Sequence, residues 1–231
     1  MPADQPASHS VRRHLNVAIE AYDRTIRQFI PGYEEGIARA AELVARARPG
    51  WVLDLGAGTG ALAAAMLARE GVGEVALIDV DGEMLAQARV RLAAFGERAA
   101  FHEQSFDASL PGCDAVAASL ALHHVPTMAR KMALYARIHA ALRPGGVFVN
   151  ADVTMPAEAA LQEATYERWA QHLVASGIEP HRAREHFAEW ADEDTYLPLD
   201  EELAALREVG FEAECVWQET PFSLVVGRKG G

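Results

Sequence analysis

The chain has 231 residues, half of them hydrophobic, with a net charge of −12 and two cysteines. That length fits one large domain, or one domain with a cap, and supplies ample material for a core. Cys113 and Cys215 lie far apart in apolar surroundings and form no CxxC pair, so the sequence predicts buried structural thiols, no disulfide framework and a reducing, cytoplasmic setting.

Met1 to Ser10 is polar and carries two prolines, which predicts a disordered tail over 1–10 rather than a signal peptide. No run approaches the about 18 uncharged apolar residues of a membrane span. Between Ala157 and Glu214 there are 15 acids and 4 Lys or Arg, so −11 of the −12 lies in that segment. A phosphate backbone is repelled there, which argues against a nucleic-acid partner. The excess reads as a solvated acidic face or as an attraction for a cationic substrate.

In chain order, residues 11–48 predict two N-terminal helices that act as a lid. Leu15, Ile19, Tyr22, Ile26 and Phe29-Ile30 recur at helical spacing, Pro31-Gly32 breaks the first helix, and Tyr33 to Arg48 forms the second. Residues 49–156 then alternate. Strands are predicted at Trp51 to Leu55, Glu74 to Asp79, Ala99 to His102, Asp114 to Ser119 and Gly146 to Ala151. Helices are predicted at Gly60 to Arg69, Gly82 to Phe95 and Thr127 to Leu142. Such alternation gives βαβ units and a parallel sheet covered on both faces.

After Pro156 the pattern turns helical, at Ala157 to Ser176 and His181 to Trp190, which predicts a helical cap over 157–199. Residues 200–231 predict a closing helix, Asp200 to Val209, with Asp200 as N-cap and Gly210 at C′. An antiparallel hairpin follows at Phe211 to Gln218 and Phe222 to Val226. The expected architecture is α/β: a Rossmann-like, doubly wound, mostly parallel sheet with a C-terminal antiparallel hairpin, in a three-layer sandwich with a helical cap.

The loop Asp54-Leu55-Gly56-Ala57-Gly58-Thr59-Gly60 joins a strand to a helix. Glycines let a ligand approach the backbone, and the helix N-terminus that follows favours an anionic group. Asp79 follows 25 residues after Asp54, where an acid in such a unit bonds ribose hydroxyls, and is preferred over Asp81. The loop lacks the G-x-G-x-x-G spacing of a dinucleotide site.

Taken in order, Val52 to Gly60, Leu77 to Leu85, Leu120-Ala121-Leu122-His123-His124-Val125 and Leu142 to Phe148 resemble the motifs of the class I S-adenosylmethionine (SAM)-dependent methyltransferases over about residues 50–155. The resemblance implies SAM as cofactor and S-adenosylhomocysteine (SAH) as product. It places Asp54, Gly56, Ala57, Gly58 and Gly60 at the methionine end. Asp79 goes at the ribose, Val80 against adenine, and Ser119 and Leu120 beside the sulfonium. In the family the third strand ends in an acid that meets the adenine amino group. Here Ser105 and Phe106 stand at that place, with Asp107 two residues on.

Ile30-Pro31-Gly32-Tyr33 further resembles a subgroup that includes the carboxy-SAM synthase of tRNA wobble-uridine modification, which implies a cofactor contact for Tyr33. That subgroup holds an extra carboxylate with an arginine from the late helices, and Arg182 and Arg184 are near that place.

His123, His124 and Asp152 are the candidate catalysts, because they stand where an acceptor would approach and histidine titrates near neutral pH. The histidines also have a packing role open to them. No metal constellation is evident. Tyr166, Trp169, Phe187, Trp190 and Tyr196 in the cap could line an apolar acceptor pocket or pack the cap on the core. The leading expectation is methyl transfer to an O or N of a small molecule. Carboxy-SAM synthesis and a non-catalytic SAM-binding regulator are the alternatives. No nucleic-acid or membrane partner is expected, and a homodimer through the N-terminal helices is an option.

Overall fold

The computed structural model describes residues 21–231. The tail over 1–10 and the first part of the opening helix lie outside the described residues. Two helices lead in, α1 (Tyr22–Phe29) and α2 (Tyr33–Arg46). The alternating part follows as β1 (Trp51–Leu55), α3 (Ala61–Leu67), β2 (Glu74–Asp79), α4 (Gly82–Arg91), β3 (Ala99–Glu103), β4 (Cys113–Ser119), α5 (Met128–Ala141) and β5 (Leu142–Val153). Next come α6 (Ala159–Ala175), α7 (Pro180–Trp190) and α8 (Leu199–Glu208). The hairpin β6 (Phe211–Glu219) and β7 (Phe222–Lys229) closes the chain.

Seven strands form one sheet in the order β3-β2-β1-β4-β5-β7-β6. The first five are parallel, and β7 pairs antiparallel with both β5 and β6. The period-2 alternation of each strand divides the core into two layers. Val52, Val75, Leu77, Val147 and Val149 face one cluster, with Ala40 and Val44 of α2 and Leu62 and Met66 of α3. Leu53, Leu55, Ala76, Ile78 and Phe148 face the other, with Leu134 and Ile138 of α5 and Leu206 of α8. Helices thus cover both faces of a mostly parallel sheet. No helix of the described residues is long and apolar enough to cross a membrane.

Three of the differences from the sequence expectation have a clear physical reason. The helix expected over 82–95 stops at Arg91. A 3₁₀ segment, Ala93–Arg98, follows and contains Gly96 at φ 58, ψ −131. Asp200 is not an N-cap: α8 starts at Leu199 after Pro198, and Asp200 lies in the first turn with Glu201 and Glu202, where acids complement the helix dipole. Strand β5 is longer than expected, because Leu142 already pairs with Cys113 before an irregularity at Cys113/Ala115 restores the register at Val147. Gly210 has φ 108 just past α8, as a C′ glycine requires.

Candidate active site

The strand order reverses between β1 and β4, which opens a crevice at the carboxyl ends of the strands. A cavity of about 550 Å³ lies there. Its floor is the turn after β1. Its walls are the ends of β2 and β4, and helix α1 and the helical segment 157–199 reach over it.

The glycine turn is fixed by geometry and by Asp79. Gly56 has φ 65, and a Cβ there would stand 2.4 Å from Ala121 Cβ, so only glycine fits. Gly56 and Ala57 donate their N–H groups to Ile78 O at 2.8 and 3.2 Å. The Asp79 carboxylate accepts from Gly58 N–H at 2.7 Å and from Asp81 N–H at 2.9 Å. Asp81, the other acid of that pair, caps α4 by accepting from Glu83 and Met84. Asp79 thus lines the cavity, while Asp81 caps the helix.

Below the turn, Asp54 is 1% exposed. Burial, reinforced by the nearby Asp79 charge, pushes its carboxyl up to about 8, against a hydrogen bond from the Ala63 backbone that lowers it. Asp54 Oδ2 and Ser119 Oγ are buried without a protein hydrogen-bond partner among the described residues, and both residues line the cavity. Buried polar atoms of native proteins are normally paired, so both are suited to polar groups of a bound ligand.

Helix α1 is tied down at two points. Thr59 Oγ1 donates to Asp23 Oδ1 at 2.7 Å, and Arg91 pairs with Asp23, which ties α1 to the glycine turn. Trp169 Nε1 donates to Phe29 O at 2.6 Å, which ties α6 to α1. Tyr22 and Tyr33 line the cavity from α1 and α2. Burial raises both hydroxyls above their ordinary value, Tyr22 to about 12.

At the far end Val80 is 39% exposed into the cavity, beside Ser105, Phe106 and Asp107. Ser105 Oγ accepts from Asp107 N–H at 3.0 Å. Arg130 and Arg137 hold the Asp107 carboxylate at 2.9 and 2.8 Å. Ser105, Phe106 and Asp107 thus all line the cavity, with Asp107 also paired to α5.

The structure also assembles a histidine–carboxylate group at the cavity. Asp152 ends β5 and accepts from the backbone N–H of Leu122 and His123 at 3.0 and 3.1 Å. Its other oxygen lies 2.5 Å from His123 Nδ1. Burial disfavours charge on His123, but Asp152 and Asp194 outweigh it and raise its pKa. Burial likewise opposes the Asp152 charge, and His123 outweighs it and lowers that pKa. His124 packs on His123 with ring centroids 4.1 Å apart, and its Nδ1 is 3.0 Å from Asp194 Oδ1. Ligating atoms of His123, His124 and Asp194 all lie within 4.8 Å of one another, a grouping the sequence did not disclose.

Of the residues expected from sequence, Tyr33, Asp54, Gly56, Ala57, Gly58, Asp79, Val80, Ser105, Phe106, Ser119, Leu120, His123 and His124 line the cavity. Gly60 does not: it has φ 77 at the N-cap of α3 and shapes the turn from behind. Asp152 stands behind His123. Sequence reasoning missed Tyr22, Arg130 and Asp194, which line the cavity from elements outside the motifs. Arg182 and Arg184 do not line it. Arg182 pairs with Glu185 and Glu189, and Arg184 with Glu167, on the surface.

Comparison with known proteins matches the central part of the chain to a family model. Residues 52–146 match the model of a methyltransferase domain. Over that segment the chain is similar to the class I SAM-dependent methyltransferases. SAM is its cofactor, and the orphaned polar atoms of Asp54 and Ser119 and the glycine cradle fit that molecule. Over 227 residues the chain is 28% identical to the carboxy-S-adenosyl-L-methionine synthase of Desulfotalea psychrophila, covering 91% of this chain and 89% of that protein. Among solved structures it is similar to an O-methyltransferase family protein from Burkholderia thailandensis. That similarity has a TM-score of 0.70 and 18% identity, over 93% of this chain and 60% of the other. It is also similar to DhpI in complex with SAH, with a TM-score of 0.63 and 21% identity, over 95% and 96% of the two chains.

Proposed function

We propose that this methyltransferase moves the methyl group of SAM to an oxygen or nitrogen of a small-molecule acceptor by in-line displacement. The observation that supports this most is the histidine–carboxylate wall at one end of the cofactor cavity. When bound, SAM supplies a methyl group on an electrophilic sulfonium. The protein's part is to align the acceptor, remove its proton and exclude water. In this reading Asp54, Gly56, Ala57 and Gly58 hold the methionine end, with Tyr33 above it and Gly60 shaping the turn. Asp79 takes the ribose hydroxyls, Val80, Ser105 and Phe106 the adenine, and Ser119 and Leu120 flank the sulfonium.

His123, His124 and Asp152 then serve the acceptor. His123, held between Asp152 and Asp194, keeps the wall in place, and His124 is the ring placed to take a proton. Residues 157–199 act as the cap and residues 21–48 as the lid over the core. Trp169, Trp190 and Tyr196, which line the cavity with Phe29, give the acceptor side an apolar boundary suited to a small molecule.

The 28% relative favours a second reading, carboxy-SAM synthesis. Such a reaction brings a further carboxylate to the methyl end, and Arg182 and Arg184 stand outside the cavity with surface partners. Incubation with SAM and a metabolite extract, followed by mass spectrometry, separates the readings. SAH and a methylated acceptor are expected. Conversion of SAM to a heavier carboxylated derivative supports the second reading, and binding without turnover supports a regulator.

A further inference from the structure

The segment between α7 and α8 sits directly on the two histidines. Thr195 N–H donates to His123 O at 2.7 Å, and the Tyr196 ring lies 5.6 Å from the His123 ring. Between them, Asp194 turns its carboxylate inward, and its side chain is 4% exposed. Asp194 Oδ1 lies 3.0 Å from His124 Nδ1 and 3.6 Å from His123 Nε2, and its other oxygen accepts from the Tyr196 hydroxyl. The two histidines thus meet a carboxylate each from opposite sides: His123 meets Asp152 from the core sheet, and His124 meets Asp194 from the cap.

The consequence is chemical. A carboxylate only accepts hydrogen bonds, so a neutral imidazole beside it carries its hydrogen on the facing nitrogen. For His124 that nitrogen is Nδ1, which leaves the lone pair on Nε2. His124 Nδ1 and Asp194 Oδ1 stand 3.0 Å apart, within ion-pairing distance. His123 has a carboxylate near each ring nitrogen and is suited to a fixed, charged role.

We propose that Asp194 is a positioning residue that fixes His124 in its Nδ1–H form, so that docking of the cap completes the acceptor-side base. The proposal rests on the reading that the acceptor meets this wall. In the step, the acceptor O–H or N–H proton passes to His124 Nε2. The freed lone pair forms the bond to the methyl carbon, and the carbon–sulfur bond breaks with its electron pair left on sulfur, giving SAH. The resulting imidazolium is stabilised by Asp194 and later releases its proton to solvent.

The test is ¹⁵N NMR of histidine-labelled, SAH-bound protein, which reports the tautomer of His124 without any acceptor. The wild type is expected to show the Nδ1–H form. Asp194→Asn is expected to lose that preference and, with an acceptor found by the mass-spectrometric assay, to lower kcat on the order of 100-fold with SAM affinity retained. Asp194→Glu is expected to restore part of both. An Nε2–H ring in the wild type overturns the proposal, even if the Asn variant fails to fold. So does an unchanged tautomer in Asp194→Asn. Stoichiometric Co²⁺ binding with visible ligand-field bands, lost in Asp194→Asn, also overturns it, because His123, His124 and Asp194 would then be metal ligands. A tautomer that depends on Asp194 with no SAH formed from any acceptor would instead defeat the methyl-transfer reading.

Discussion

Asp152 and His123 form a buried pair at 2.5 Å, with Asp152 also accepting the backbone N–H groups of Leu122 and His123. The pair therefore shapes the turn after β4 as well as its charge. Asp152→Asn is expected to cost roughly 3–5 kcal/mol, as breaking one side of a buried ion pair does. The raised His123 pKa contributes stability that is full below its ordinary 6.5 and is lost as pH rises through the folded value. The lowered Asp152 pKa contributes stability that is full above its ordinary 3.8 and is lost as pH falls through the folded value. Denaturant melts from pH 3 to 9 should thus show a plateau between those ordinary values. The plateau should flatten into the baseline in Asp152→Asn.

Gly56→Ala places a methyl group against Ala121 at a backbone φ of 65. The strain and the clash push the turn outward, away from the geometry that Ile78 O and Asp79 hold. Isothermal titration should find SAM binding reduced at least on the order of 100-fold, with melting lowered by about 1–3 kcal/mol. A variant that binds SAM normally would show that the turn does not carry the cofactor.

Asp54 holds its proton up to about 8 in the free protein. Because this folded value lies above the ordinary 3.8, the folded state binds the proton more tightly, and stability falls as pH rises between the two. A cationic group of SAM beside Asp54 favours the ionised form instead. Binding at pH 7 is therefore expected to release a proton, and affinity to rise toward pH 8. Calorimetry in buffers of different ionisation enthalpy measures this. Asp54→Asn should abolish the release and most of the pH slope.

The glycine-turn part of the cavity was legible in sequence because it is local. The turn needs glycine at 56 because its φ is 65, a conformation that strand–turn–helix loops favour glycine for, and Asp79 stands at a strand end whose position the alternation predicts. The histidine side was not. Asp194 reaches His124 from a loop 70 residues on, and Tyr22 enters from a helix that shares no motif with the sheet. Long-range pairs of this kind leave no periodicity. The misplaced boundaries have the same origin: acids in the first turn of α8 mimic a cap at Asp200, and apolar Ala93 to Phe95 extend a helical pattern past Arg91.

Trp169→Phe keeps the ring in the core but removes the bond from Nε1 to Phe29 O, leaving that carbonyl unpaired. A loss of about 1–3 kcal/mol is expected, or about 2–4 °C in Tm for each kcal/mol. If the bond latches the lid, hydrogen exchange over residues 22–29 should accelerate more than exchange in the sheet.

A crystal structure with SAH bound tests the central claim most directly. The account predicts SAH in the cavity after β1, with its ribose on Asp79, its adenine against Val80 and its sulfur facing His123 and His124 across a space that fits one small acceptor. A cofactor bound elsewhere, or a sulfur turned away from the histidines, would contradict it.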